Sequence, residues 1–250
     1  MRKRTTSSFR SMYRKEAAPD EMNCRFRMWR TINKWIDRIL LSVLLFLMVF
    51  IGSGLIDEIR FLREGTGGIK YHSFAQLLEI NPDTAAWLTM DGTHIDNPVV
   101  RSRDNFDYLD KGFDGKYYAG GTLFMDKDVN SFEERYCIIH GHHMAAGAMF
   151  GDLARYLEPG FFEENMSGIL LTPDYDYDLT VFAAGVFNAY DVNIYKPGDT
   201  VPVSYIRENA VNQRGAEDPC HVLALSTCFD DMTDNRTVVF CSMTNKRRHR

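Results

Sequence analysis

The chain has 250 residues, 45% of them hydrophobic and 25% charged, with a formal net charge of −5. This length holds one large domain or two small ones, and neither an internal repeat nor a low-complexity segment is present. The acidic total hides two opposite parts: residues 1–38 carry eleven Lys and Arg against four Asp and Glu, net +7, and the other 212 residues carry 18 against 30, net −12.

Residues 39–56, ILLSVLLFLMVFIGSGLI, contain no charge. Eighteen such residues span roughly 27 Å as a helix, close to the ~30 Å hydrocarbon thickness of a bilayer. The basic flank predicts a cytoplasmic N-terminus and an extracellular remainder. The span is longer and later than a signal-peptide core, and no convincing cleavage site follows it, so an uncleaved anchor is expected. Beside a membrane, the basic arm suits anionic lipid better than nucleic acid, and no nucleic-acid partner is expected.

The expected organisation is a basic cytoplasmic segment (1–38), a transmembrane anchor (39–56), a stalk (57–70), an extracellular domain (71–245) and a solvated basic tail (246–250). Residues 71–80 place Phe74, Leu77, Leu78 and Ile80 at roughly helical spacing. From there short strands and turns dominate. The predicted strands are Ala85–Met90, Ile95–Arg101, Gly120–Met125, Tyr136–Ile139, Ile169–Thr172, Leu179–Val186, His221–Leu225 and Thr237–Cys241, with Asp91-Gly92 as a hairpin turn between the first two. Helices are predicted over Ala148–Tyr156 and Val203–Asn212. Many short strands with turn punctuation predict a mainly β fold, a closed barrel or sandwich.

Cys137 and Cys241 stand in apolar runs and read as small buried hydrophobes, although bridges among Cys137, Cys220 and Cys241 stay open. Cys228 differs. It ends the apolar run Val222-Leu223-Ala224-Leu225 amid polar neighbours, and Arg236 opens the next apolar strand eight residues on. His142 follows a third such run, Cys137-Ile138-Ile139, and the turn residue Gly141. A thiol, an imidazole and a guanidinium at strand ends suggest a nucleophile, its proton partner and a cation for an oxyanion. The cluster His140, His142, His143 invites a zinc reading, but the helical His-Glu-x-x-His pattern is missing, and no metal or cofactor is expected. His140 and His143 read as structural or rim residues, and Ser226 and Thr227 as candidates to shape a substrate groove beside Cys228.

These segments resemble the sortases, cysteine transpeptidases of the Gram-positive cell envelope, and among them class B. Leu225-Ser226-Thr227-Cys228 is similar to the family's nucleophile motif, Gly141-His142-His143-Met144 to its histidine motif, and Arg236 before Val238-Val239 to its arginine. Further matching segments include Asn81-Pro82-Asp83, Gly92-Thr93-His94-Ile95-Asp96-Asn97-Pro98, Tyr108-Leu109 and Met149-Phe150-Gly151-Asp152-Leu153. Ala224 and His140 depart from the usual Thr and Tyr, and the segment between Tyr190 and Cys220 is compact. The resemblance implies an eight-stranded β-barrel with a few peripheral helices. It also implies a thioacyl mechanism with Cys228 as nucleophile, His142 as acid and base, and Arg236 on the oxyanion. The substrates implied are secreted proteins with a C-terminal NPxTx-like or related Pro-x-Thr sorting signal, cleaved after Thr, and the acceptor is a peptidoglycan amine. Pilin polymerisation is the alternative within the family; a silent peptide-binding protein and a zinc hydrolase are the alternatives outside it. Reference pKa values near 8.5 for Cys and 6.5 for His imply a small thiolate–imidazolium population and a bell-shaped pH profile.

Overall fold

The computed structural model describes residues 35–49, 73–215, 217–228 and 234–248, and at Cys228 it describes the main chain. The chain divides into two compact units, Met1–Asp57 and Glu58–Arg250. In the first, the described residues 35–49 are helical (α1) and include residues 39–49 of the expected anchor. The rest of that anchor, residues 50–56, lies outside the described residues, as do residues 1–34 and the expected stalk. Among the described residues no helix is long and apolar enough to cross a membrane.

The described residues of the second unit form nine strands: β1 (Thr84–Met90), β2 (Asp96–Arg101), β3 (Leu123–Met125), β4 (Tyr136–His142), β5 (Ser167–Leu171), β6 (Tyr175–Asn188), β7 (Asn212–Gln213), β8 (Val222–Cys228) and β9 (Asn235–Arg248). Three short α-helices accompany them there: α2 (Phe74–Ile80), α3 (Pro159–Glu164) and α4 (Val203–Asn209). The strand order is β5-β1-β2-β3-β4-β8-β9-β6-β7, and β5 also pairs with β6. Eight strands therefore close on themselves, as expected, while the two-residue β7 hangs from β6 outside the ring. Closure removes the unpaired edges of an open sheet.

The near-continuous apolar runs of β4, β8 and β9 follow from burial on both faces. Cys137, Ile139, Leu223, Leu225, Val239 and Cys241 fill the main core. The alternate residues Tyr136, Ile138, Val222, Ala224, Val238 and Phe240 pack beneath Val203 and Ile206 of α4. A third cluster, with Leu77, Trp87, Val100 and Phe124, lies under α2. Each fully buried Leu, Ile or Val contributes about 1.5–3 kcal/mol. Cys137, Cys220 and Cys241 are free thiols. Burial pushes the Cys137 thiol well up and that of Cys241 up to about 12.

Several expected boundaries shift. In place of a helix over Ala148–Tyr156 there are two 3-10 segments, Ala145–Gly147 and Gly151–Leu157. Positive φ at Gly147 and Met149 breaks the α path between them. Helix α3, which starts on a proline in its first turn, is too short to show a period in sequence. The predicted Val203–Asn212 helix stops at Asn209, and its last residue begins β7. Lys246, Arg247 and Arg248, expected as tail, extend β9 along β6, where Arg247 meets Asp178 at 2.6 Å.

Candidate active site

Strands β4 and β8 are parallel neighbours with His140 paired to Ser226, Gly141 to Thr227 and His142 to Cys228. A stretch of β-rich chain about ninety residues away thus carries His142 to the main chain of Cys228. Strand β9 flanks β8 on the other side, antiparallel, with Ser226 opposite Val238. Two residues further along each strand stand Cys228 and Arg236. The pairing of β4, β8 and β9 therefore gathers all three predicted positions at one end of three adjacent strands.

His142 Nε2 donates to the carbonyl of Leu109 at 2.7 Å. That bond comes from the β2–β3 connection and fixes the ring from outside its own strand. Arg236 Nη1 donates to the carbonyl of Thr227 at 3.3 Å. Its guanidinium lies over the ring of Tyr195 at 5.9 Å, and its buried Nε has no hydrogen-bond partner among the described residues. A cleft of about 480 Å³ opens here, lined by His142, Arg236, Leu109, Tyr195, His140 and Asn105 among others.

Ser226 and Thr227 are both buried. The Ser226 hydroxyl bonds the hydroxyl of Tyr195 at 2.9 Å, and Thr227 Oγ1 accepts from the backbone N–H of Thr237 at 3.0 Å. Their hydroxyls are thus engaged by protein groups that hold Tyr195 and the start of β9. The histidine cluster separates: His142 turns to Leu109, His143 is exposed, and His140 is buried against Asp126, Nε2 to Oδ2 2.8 Å. The Asp230-Asp231 part of the Cys–Arg loop lies outside the described residues.

Asp126 is a site residue that sequence reasoning missed. Burial pushes its carboxyl up, but the His140 hydrogen bond and charge, the Asp128 N–H and Asn105 outweigh this and hold it below the usual carboxylate range. Leu109 and Tyr195 were missed as well. Leu109 acts through its carbonyl, which no side-chain motif reveals. Tyr195 comes from an irregular connection between β6 and α4.

No family model matches the chain. Two curated relatives do: sortase B of Listeria monocytogenes, 33% identical over 118 residues, 46% of this chain and 45% of that protein, and sortase B of Staphylococcus aureus, 29% identical over 143 residues, 56% and 53%. The aligned part thus spans about half the length of each. Solved structures extend the likeness. A Streptococcus pyogenes class B sortase involved in pilus biogenesis, Spy0129, is 33% identical with a TM-score of 0.64, over 69% of this chain and 98% of that one. The Staphylococcus aureus sortase B–substrate complex is 26% identical with a TM-score of 0.64, over 69% and 84%. With the eight-stranded closure, the in-register His142 and Cys228, and a third-identical structure matched over nearly its whole length, the chain belongs to the class B sortases.

Proposed function

We propose that this chain is a cysteine transpeptidase that cleaves a C-terminal sorting signal after Thr and transfers the acyl part to an amine. The observation that carries this reading is the register of β4 on β8, which sets His142 beside Cys228 while Arg236 approaches from β9. In the first half-reaction the Cys228 thiolate attacks the Thr carbonyl carbon and a C–S bond forms. Guanidinium N–H groups of Arg236 stabilise the oxyanion. The C–N bond then breaks as imidazolium His142 protonates the leaving amine. In the second half an amine attacks the thioester, His142 takes its proton, and the thiolate leaves. Because Nε2 of His142 is committed to the Leu109 carbonyl, Nδ1 is the nitrogen that exchanges protons. Ser226 and Thr227 shape the groove indirectly, through Tyr195 and β9.

The substrate in this reading is a secreted protein with a Pro-x-Thr type signal, and the acceptor a peptidoglycan amine. A solved sortase B complexed with triglycine supports an amine-terminated peptide as acceptor. The uncharged stretch 39–56 and the basic arm before it support a single-pass anchor with the barrel outside the cell. A second reading, pilin polymerisation, is favoured by the pilus role stated for the Streptococcus pyogenes relative. Competition separates the two: a fluorescent sorting peptide is offered with triglycine or with a pilin-type lysine peptide. Faster product with triglycine supports wall anchoring, and faster product with the lysine peptide supports polymerisation. A turnover rate indifferent to every amine, ending in hydrolysis, contradicts transpeptidation.

A further inference from the structure

His140 stands two residues before His142, on the same face of β4, about 6.7 Å along the strand. His140 and Asp126 side chains are each 6% exposed. The carboxylate is held three ways: Oδ2 takes hydrogen bonds from His140 Nε2 at 2.8 Å and Asn105 Nδ2 at 2.9 Å, and Oδ1 takes the Asp128 N–H at 2.9 Å. The imidazole is held polarly once, because its buried Nδ1 has no partner among the described residues. Its faces are covered by Phe124, ring centres 5.4 Å apart, and by Tyr195, stacked at 6.2 Å and 20°. Tyr195 in turn bonds Ser226 and lies under the Arg236 guanidinium. Other charged groups on this side are Lys127 and Asp128, which pair with each other at 2.7 Å.

The contacts form one path. Asp126 sets the plane of His140, His140 is the bed of Tyr195, and Tyr195 carries Arg236. Among the described residues Arg236 makes one side-chain hydrogen bond, a long one at 3.3 Å, and the ring beneath it at 5.9 Å adds a second restraint. An arginine that must meet an oxyanion gains from being held before substrate arrives.

We infer that Asp126 and His140 are positioning residues for Arg236, acting through the stacked ring of Tyr195. This rests on the reading of Arg236 as the oxyanion cation. Removing the carboxylate leaves the imidazole free to turn, whereas an amide in its place keeps an acceptor for Nε2–H.

The test uses the full chain in detergent micelles and has two arms. In the first, NMR relaxation of the Arg236 Nε–H reports its order without any substrate. Wild type and Asp126→Asn are expected to show an ordered Nε–H; Asp126→Ala and His140→Ala are expected to lose that order. In the second, Asp126→Ala lowers kcat for a sorting peptide by about ten- to a hundred-fold with KM little changed, and Asp126→Asn recovers most of it. If Asp126→Ala does not fold, His140→Gln decides the point, since it keeps a donor for the carboxylate but removes the ring. Arg236 order that is indifferent to these substitutions in folded protein overturns the inference, even if wild type acylates normally. Arg236 order that depends on them, in a wild type that never acylates, instead sinks the transpeptidase reading.

Discussion

Gly121→Ala tests how the β2–β3 connection holds His142. Gly121 has φ +62°, and a Cβ there would lie 2.4 Å from the carbonyl oxygen of Tyr108 and 2.5 Å from that of Leu109. The left-handed backbone alone costs an alanine about 1–2 kcal/mol. The clash adds more, because both contacts are main-chain atoms and the connection must retreat by about an ångström to reach normal contact. The Leu109 carbonyl that moves is the acceptor of the 2.7 Å bond from His142. Gly115→Ala is the control: its φ is +78° with nothing within 4 Å of the added Cβ. Differential scanning calorimetry should show Gly115→Ala losing only the backbone cost, a fall in Tm of about 2–8 °C, with unchanged peptide turnover. Gly121→Ala should fall further and lose about tenfold or more in kcat. Equal Tm losses in the two variants, with both fully active, would refute this account of His142.

Three other outcomes are expected. Leu225→Ala, at a fully buried position in the barrel core, should cost about 2–5 kcal/mol in urea unfolding, and a loss under 1 kcal/mol would contradict the closed packing. Asp126 has a folded-state pKa below its unfolded value, so its contribution is present above pH ~4 and lost as pH falls through the lower folded value; acid unfolding should therefore begin at higher pH in Asp126→Asn. Native protein should alkylate rapidly at exposed Cys220 near neutral pH, while buried Cys137 and Cys241 react only on unfolding; fast native labelling of either would contradict their burial.

The sequence revealed those parts whose chemistry repeats at short range. Apolar runs and turn residues located all eight barrel strands, and the strand-end positions of His142, Cys228 and Arg236 marked the candidate site before its geometry was visible. What stayed hidden depends on distant pairing. The polar end of β9 reads as a tail because its partners, Asp176 and Asp178 on β6, are some seventy residues away. Gly147, Met149 and Gly151 turn an apparent helix into 3-10 segments, since the chain there closes onto the His142 carbonyl through Phe150 N–H at 2.9 Å. The aromatic bed under Arg236 joins residues from β3, β4 and the β6–α4 connection, which no local spacing brings together.

The most direct test of the central claim is intact mass spectrometry of the full chain after incubation with a small library of Pro-x-Thr pentapeptides, followed by peptide mapping. The account predicts a covalent adduct with the mass of the peptide cut after Thr, located on Cys228 and lost in Cys228→Ala. No adduct with any peptide, while Cys228 still alkylates with iodoacetamide, or an adduct that persists in Cys228→Ala, would contradict it.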